Sequence, residues 1–206
     1  ISLDSMRWES AEISYKKPNK STSAKEGGKK LDWALGQLDL RHTLLNLDLG
    51  NSTVRGEVDS LNLTNLLSTE SGTPTFKDLD IFLSNLVAVA PGLKASVNRI
   101  SLHENAPGKL DQVALRMERD GDTVDLAIPL VQLTPHIGRM LKDKSVHLDE
   151  LVLQEPRVRA LLGGMKKADT AKTEKKQLTA LIGRLAIVKG DIGLQTRKAG
   201  KPVSYT

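Results

Sequence analysis

The chain has 206 residues and a formal net charge of +5, and six of its residues are aromatic. It contains no cysteine, which excludes disulfide bonds and thiolate metal sites. No window reaches the ~18 consecutive apolar residues of a membrane-spanning helix. Because aromatic side chains are scarce, branched aliphatic residues must supply most of the buried surface.

A repeated spacing of apolar residues begins at Leu3 and recurs along the chain. The apolar residues lie at relative positions 0, 3, 5, 10 and 12; copies begin at Leu3, Leu35, Phe76, Leu148 and Ile182, and truncated copies at Val58 and Val97. Positions 3 and 5, like 10 and 12, are two residues apart, as are side chains on one face of a strand. A recurring unit predicts a fold that is built by stacking similar pieces.

Polar residues with turn chemistry separate the two halves of this unit, as at Glu9 and Ser10, Gln154–Pro156 and Lys189–Asp191. Each unit is therefore predicted to be a hairpin or a bent strand. A helical alternative exists because leucine, a strong helix former, is the commonest apolar residue. Strict alternation favours strands over helices in two runs, Leu45–Val58 and Val124–Leu130.

Turns and one helix are predicted between these strands. Pro91–Gly92 and Pro107–Gly108 have turn composition, and Glu118–Asp122 is predicted to connect a hairpin. Thr134–Lys142 is predicted to form a helix of about two turns, in which Thr134 caps the helix and Pro135 occupies the first helical position.

The positive charge is concentrated in two tracts rich in Gly, Ser, Thr, Ala and Lys. Residues 16–30 hold six lysines against one acidic residue, and residues 163–177 hold five against two. We interpret these tracts as Lys-rich flexible loops that keep the chain in solution, or that contact anionic lipid headgroups. A nucleic-acid partner is not expected, because no aromatic stacking residues alternate with the lysines.

No catalytic or metal-binding motif is present. The four histidines, His42, His103, His136 and His147, form no known ligand or catalytic pattern. His147 and Asp149 are expected to share a strand face, which is more typical of a surface pair than of a catalytic dyad. We therefore predict a chain that is not an enzyme, with no catalytic residue, no metal and no cofactor.

Two strings, Leu148–Val158 and Ile182–Ile192, resemble the AsmA-like superfamily, including its TamB-like members. In that superfamily a strand with the order apolar, two polar, apolar, polar, apolar is followed by a Gly or Pro turn and another strand. The resemblance covers the chain outside the two Lys-rich tracts. It implies a periplasmic location, a parent protein anchored in the inner membrane, and a sheet that curls into a long apolar groove.

The resulting prediction is a mainly β fold, in which a curled antiparallel sheet forms an elongated, repeating β-groove with one or two short helices. The whole chain, residues 1–206, is expected to be one repeat-built β segment of a longer protein. The groove would bind or conduct phospholipid between the inner and outer membranes, since an acyl chain in water costs about 0.8 kcal/mol per exposed CH₂. The candidate groove residues occupy positions 3 and 5 of the copies: Leu38, Leu40, Leu61, Leu63, Leu79, Ile81, Ile100, Leu102, Leu151, Leu153, Leu185 and Ile187.

Two other functions are compatible with this sequence. The chain could be an envelope assembly scaffold that binds protein partners through edge strands and loops. An enzyme that acts on polysaccharide from a β-solenoid is the third possibility, and the shortage of aromatic sugar platforms argues against it.

Overall fold

The computed structural model describes residues 2–17, 33–68, 74–162, 179–198 and 201–205. Thirteen strands and one helix are found in this part of the chain: β1 (Ser2–Glu9), β2 (Glu12–Lys16), β3 (Ala34–Asp48), β4 (Thr53–Leu67), β5 (Asp78–Ala90), β6 (Leu93–His103), β7 (Ala106–Arg119), β8 (Asp122–Pro135), α1 (Ile137–Asp143), β9 (Val146–Gln154), β10 (Arg157–Leu162), β11 (Ala180–Val188), β12 (Asp191–Lys198) and β13 (Lys201–Tyr205). The prediction of a mainly β fold with a short helix is confirmed.

The strands form one sheet. Its middle is an antiparallel meander from β3 to β8, in which every strand pairs with the next one along the chain. At one end β1 and β2 lie end to end along β3, and at the other end β9 and β10 lie end to end along β8. β11 and β12 then lie along β9 and β10, and β13 pairs with β12. The polar residues between the half-units therefore join two halves of a bent strand instead of closing a hairpin.

The sheet is mixed: the prediction of an antiparallel sheet is correct for β3–β8, for β9 and β10 against β8 and for β13 against β12, and it is wrong for the parallel pairs near each end. β1 and β2 run parallel to β3, while β11 and β12 run parallel to β9 and β10. A parallel pair needs a long connection, because the chain must return to the same end of the sheet. The two Lys-rich tracts lie in the sequence at these two connections. Their predicted flexibility concerns residues that, apart from Lys16 and Lys17, lie outside the described part of the chain.

A line of left-handed residues crosses the sheet and bends it. Six residues on this line have φ between 46° and 55°: Ser10, His42, Asn85, Gln112, Glu155 and Lys189. Each of these residues is exposed. An extra residue in this conformation shifts the alternation of a strand by one and bends it, so the apolar side chains on both sides of the line face the same way. The bent strands stack as repeating coils, an arrangement like a β-solenoid.

Five of the eight buried hydrophobic residues in the described part of the chain lie beside this bend. Ile128 and Val131, which lie on either side of the line in β8, are each 5% exposed. Leu40, Val58 and Ile100 occupy equivalent places in other strands and are also buried. The burial of residues on both sides of the bend supports the inference that the two halves direct their apolar side chains to one common side.

Two glycines allow the parallel strands at each end of the sheet to approach closely. A Cβ atom on Gly36 of β3 would lie 2.4 Å from the carbonyl oxygen of Asp4 in β1. A Cβ atom on Gly183 of β11 would lie 2.7 Å from the carbonyl oxygen of Asp149 in β9. Real Cβ atoms do not come this close to a backbone oxygen, so both positions require glycine. All four residues directly follow the first apolar residue of a template copy and so form its second place. In each pair the earlier strand has Asp there and the later strand has Gly.

The turns agree with the sequence at two of three places. Pro91–Gly92 joins β5 to β6, and Asp120–Gly121 joins β7 to β8 with positive φ at both residues. The prediction of a turn at Pro107–Gly108 is wrong. That dipeptide lies within β7, and the turn is formed by Glu104 and Asn105, of which Asn105 supplies the positive φ.

The helix starts later than predicted. Thr134 and Pro135 end strand β8, and α1 is Ile137–Asp143. His136 occupies the N-cap position without a side-chain capping bond, so the predicted cap by Thr134 is wrong. The Thr134 and Pro135 backbone is engaged in the ladder with β9, which takes precedence over the local preference of proline for a first helical turn.

Candidate functional site

Apolar side chains form continuous rows across the sheet, mainly in the half that contains β1, β9 and β11. Directly paired residues of neighbouring strands point to the same face, so the ladder register defines each row. Three rows, read across the sheet, are Met6–Leu38–Leu63–Leu79, Trp8–Leu40–Leu61–Ile81–Leu102 and Thr43–Val58–Leu83–Ile100–Leu110–Val131–Leu153–Ile187. A shorter fourth row is Leu133–Leu151–Leu185. Residues two apart in a strand connect these rows into one apolar face.

All twelve residues predicted from the template lie in these four rows. Leu40, Leu79 and Ile100 are buried, and seven of the others are half-buried: Leu38, Leu61, Leu63, Ile81, Leu102, Leu151 and Leu153. Leu185 and Ile187, at the edge of the sheet, are 57% and 60% exposed. The register thus brings the twelve together on one face. Whether lipid lies against them stays a prediction.

The template positions chosen from the sequence missed two sets of residues. The first set, Leu110, Val131 and Leu133, completes the rows through β7 and β8, which do not carry the template. The second set occupies the other half of the sheet, beyond the bend. Two rows there are Tyr15–Leu47–Val54–Ala88–Ala95–Leu115–Leu126–Val158–Ile192 and Leu86–Val97–Val113–Ile128. The sequence did contain a signal for the rows beyond the bend, because their residues alternate along the strands and include template positions 10 and 12.

Exposure of the apolar residues increases toward the ends of the sheet. Among the described residues nineteen large hydrophobic side chains are exposed, and seven of them lie in β11 and β12. Ile192, for example, is 75% exposed, whereas its row partner Leu126 is half-buried. A large exposed apolar surface is typical of sites that bind other molecules.

The opposite face of the sheet is polar and carries most of the ion pairs. Asp39 is the most buried of these acids: Arg7 Nε donates to its Oδ2 at 3.0 Å and Arg41 Nε donates to its Oδ1 at 3.2 Å. The hydrogen bond and positive charge of Arg41, helped by Arg7, lower the pKa of Asp39 against the opposing effect of burial. This cluster ties β1 to β3.

We expect Asp39 to make the stability of the fold depend on pH in the acid range. A carboxyl whose pKa is lowered by folding contributes stability that is fully present above the unfolded pKa, about 4, and lost as the pH falls through the folded value. Asp39→Asn should lower the urea midpoint of unfolding at pH 7. Between pH 7 and pH 3 the midpoint of this variant should fall less than that of the native chain. Asp4→Asn, in an exposed position, should behave like the native chain. An Asp39→Asn variant with the native pH dependence would contradict the assignment.

Three of the four histidines, His103, His136 and His147, lie beside carboxylates. His103 Nδ1 lies 2.6 Å from Asp80 Oδ1, and His136 Nε2 lies 2.8 Å from Asp149 Oδ1. His147, expected to share a face with Asp149, instead contacts Asp143 at 3.4 Å. No group of three His, Asp or Glu side chains in the described ranges could hold a metal ion.

Comparisons with known proteins give no family assignment. No protein-family model, no curated protein and no solved structure matches this chain significantly. Within the described residues, no helix has the length and apolar character to cross a membrane.

Proposed function

We propose that the apolar face of this sheet binds the acyl chains of phospholipids and forms part of a path for lipid across an aqueous gap. The observation that supports the proposal best is the row from Thr43 to Ile187. It crosses eight paired strands, and seven of its eight side chains are aliphatic. The bend places further aliphatic rows beside it. The half-buried and exposed members of these rows keep surface that a sliding acyl chain could contact.

The energetics favour this use of the face. An acyl chain that leaves a membrane loses about 0.8 kcal/mol for each CH₂ exposed to water, so its transfer requires a continuous apolar surface. Half-buried side chains such as Leu61, Ile81 and Leu153 still have surface to offer a ligand. Aliphatic side chains also suit fluid hydrocarbon, because they impose no fixed geometry on it.

The proposed setting is the periplasm of a bacterium with two membranes, within a parent protein that is anchored in the inner membrane. This part of the proposal rests on the resemblance to the AsmA-like superfamily in Leu148–Val158 and Ile182–Ile192. In this setting the sheet would form one segment of an elongated, repeating β-groove. The groove would bind or conduct phospholipid between the inner and outer membranes, without enzymatic activity.

The test is the phospholipid that the purified chain retains. Native mass spectrometry of protein prepared without detergent should find bound phospholipid. The double variant Leu185→Asn/Ile187→Asn should retain several-fold less, because both side chains are exposed members of the apolar rows. Val188→Asn is the matched control, since Val188 is exposed in the same strand and points to the opposite face. A native chain without lipid, or equal retention in both variants, would refute the proposal.

An envelope assembly scaffold is the second candidate function. Within the described residues β11 pairs with β9 alone, and β1 and β2 pair with β3 alone, so each of these strands has one open edge. Open edges accept strands of other proteins by hydrogen bonding. This candidate predicts that a chain stripped of lipid still captures a defined envelope protein.

A further inference from the structure

A depression in the polar face is bordered by four basic side chains. It has a volume of about 620 Å³ and lies over β6, β7, β8 and β10, in the half of the sheet beyond the bend. Ser96, Ala114 and Ala127 line it with short side chains, and Leu115 and Leu126 line it as well. The basic residues Lys94, Arg116, Arg157 and Arg159 also line it, and Asp125 is the one acidic residue among the lining residues.

The strand register holds these cations together. One row across the sheet is Lys94–Arg116–Asp125–Arg159, and the next is Ser96–Ala114–Ala127–Arg157. Lys94 therefore lies directly opposite Arg116, and Arg157 lies two residues from Arg159 on the same face. Like charges in directly opposite positions destabilise a sheet. An anion bound in the depression would relieve this repulsion.

Two of the four cations are held in place by acidic side chains outside the depression, and Arg116 Nη1 also lies 3.7 Å from Asp125 Oδ1 within it. Arg159 Nη2 donates to Asp191 Oδ2 at 2.6 Å, and Arg116 Nε donates to Glu118 Oε1 at 2.7 Å. Each hydrogen bond raises the pKa of its arginine, with the nearby negative charge adding to the effect. Lys94 and Arg157 form no ion pair within the described part of the chain, although the positive charge of Arg157 also helps Arg159 to lower the pKa of Asp191. Two fixed guanidinium groups and two available cations thus surround a space with a floor of small side chains.

We propose that this depression binds the phosphate group of an anionic ligand, with Lys94 and Arg157 as the residues that contact it directly. A guanidinium group presents N–H donors in a planar fork that matches two phosphate oxygens, and an ammonium group adds a mobile charge. Lys94 and Arg157 alternate with Ala95 and Val158, which belong to an apolar row, so the two proposed contact residues point to the opposite face. The site is therefore separate from the proposed acyl-chain surface, and either one can exist without the other.

The experiment compares two sources of phosphate. Pyrophosphate in solution is titrated by calorimetry at low and at physiological salt. Vesicles of phosphatidylcholine, with and without phosphatidylglycerol, are tested by co-sedimentation. Lys94→Gln/Arg157→Gln should weaken binding of at least one of these probes by about tenfold or more, since two charge-assisted hydrogen bonds are lost. The matched control is Arg99→Gln/Lys109→Gln, which removes the same charge from exposed positions on β6 and β7.

The outcomes separate the sources and can overturn the site. Loss of pyrophosphate binding in the Lys94/Arg157 variant alone assigns a soluble phosphate. Loss of binding to vesicles containing phosphatidylglycerol in that variant alone assigns a lipid headgroup. No binding of either probe to the native chain, or the same loss in the control variant, overturns the proposal. Retained acyl chains in the Lys94/Arg157 variant would show that the proposed lipid surface is intact, so failure of one proposal is distinguishable from failure of the other.

Discussion

Replacement of Val131 by aspartate is expected to lower the free energy of unfolding by about 4 kcal/mol or more. Val131 is 5% exposed and lies between Leu110 and Leu153 in the row from Thr43 to Ile187, next to the bend. A carboxylate there would lose its water without gaining a partner. Unfolding in urea, followed by circular dichroism, measures the loss.

Ile187→Asp provides the matched control for this prediction. Ile187 belongs to the same row but lies at the edge of the sheet, where it is 60% exposed. Its carboxylate would remain in water, so the expected loss is below about 1 kcal/mol. Similar losses in the two variants would show that the burial gradient from the bend to the edge does not govern stability.

Replacement of Gly36 by alanine is expected to destabilise the fold by about 3 kcal/mol. The new Cβ would lie 2.4 Å from the carbonyl oxygen of Asp4 and 3.3 Å from its carbonyl carbon. Both are backbone atoms of β1, so the contact is relieved only if β1 moves away from β3. Hydrogen exchange should accordingly show faster exchange in β1, alongside a lower unfolding midpoint in urea.

Gly138→Ala tests whether any added methyl group has this effect. A Cβ on Gly138 would meet Glu104 Oε1 at 3.5 Å and Phe76 at 3.7 Å, which are ordinary contact distances. Gly138 lies in helix α1, where alanine is favoured over glycine by up to about 1 kcal/mol. Neutral or slightly higher stability is expected. If Gly36→Ala were equally well tolerated, the close approach of β1 and β3 would not constrain position 36.

The sequence allowed the strands to be predicted, and it located the break between the half-units, where a bent strand and a hairpin were both expected, because both features leave local signals. Alternation marks a strand, and the shift of the alternation at Ser10, Glu155 and Lys189 marks the bend. The direction of pairing leaves no comparable signal, since alternation specifies a face but not a partner, and the parallel pairs at both ends were missed for this reason. At Pro107–Gly108 the local turn signal was overridden, because Gly108 is needed in the strand where a Cβ would meet the carbonyl oxygen of Ser101 at 2.6 Å.

The candidate sites differ in how far the sequence could reveal them. The twelve apolar residues share one template, so their placement on one face followed from spacing alone. Leu110 and Val131 extend the same rows but lie in strands without the template. The basic depression could not be predicted, because Lys94, Arg116 and Arg157 come from three strands and meet only through the ladder register.

The close approaches of Gly36 to Asp4 and of Gly183 to Asp149 restrict which strands can be added to the sheet at β11. Within the described residues one edge of β11 is open and presents Gly183. By analogy with Gly36 and Gly183, a parallel strand that pairs with this edge in the template register is expected to need glycine as the second residue of its template copy. In β1 this place is occupied by Asp4. If β1 of a second molecule paired with β11, the Cβ of Asp4 would collide with the carbonyl oxygen of Gly183. This collision hinders separate copies from pairing β1 with β11 to form filaments. A strand that has glycine at this place can still pair with β11.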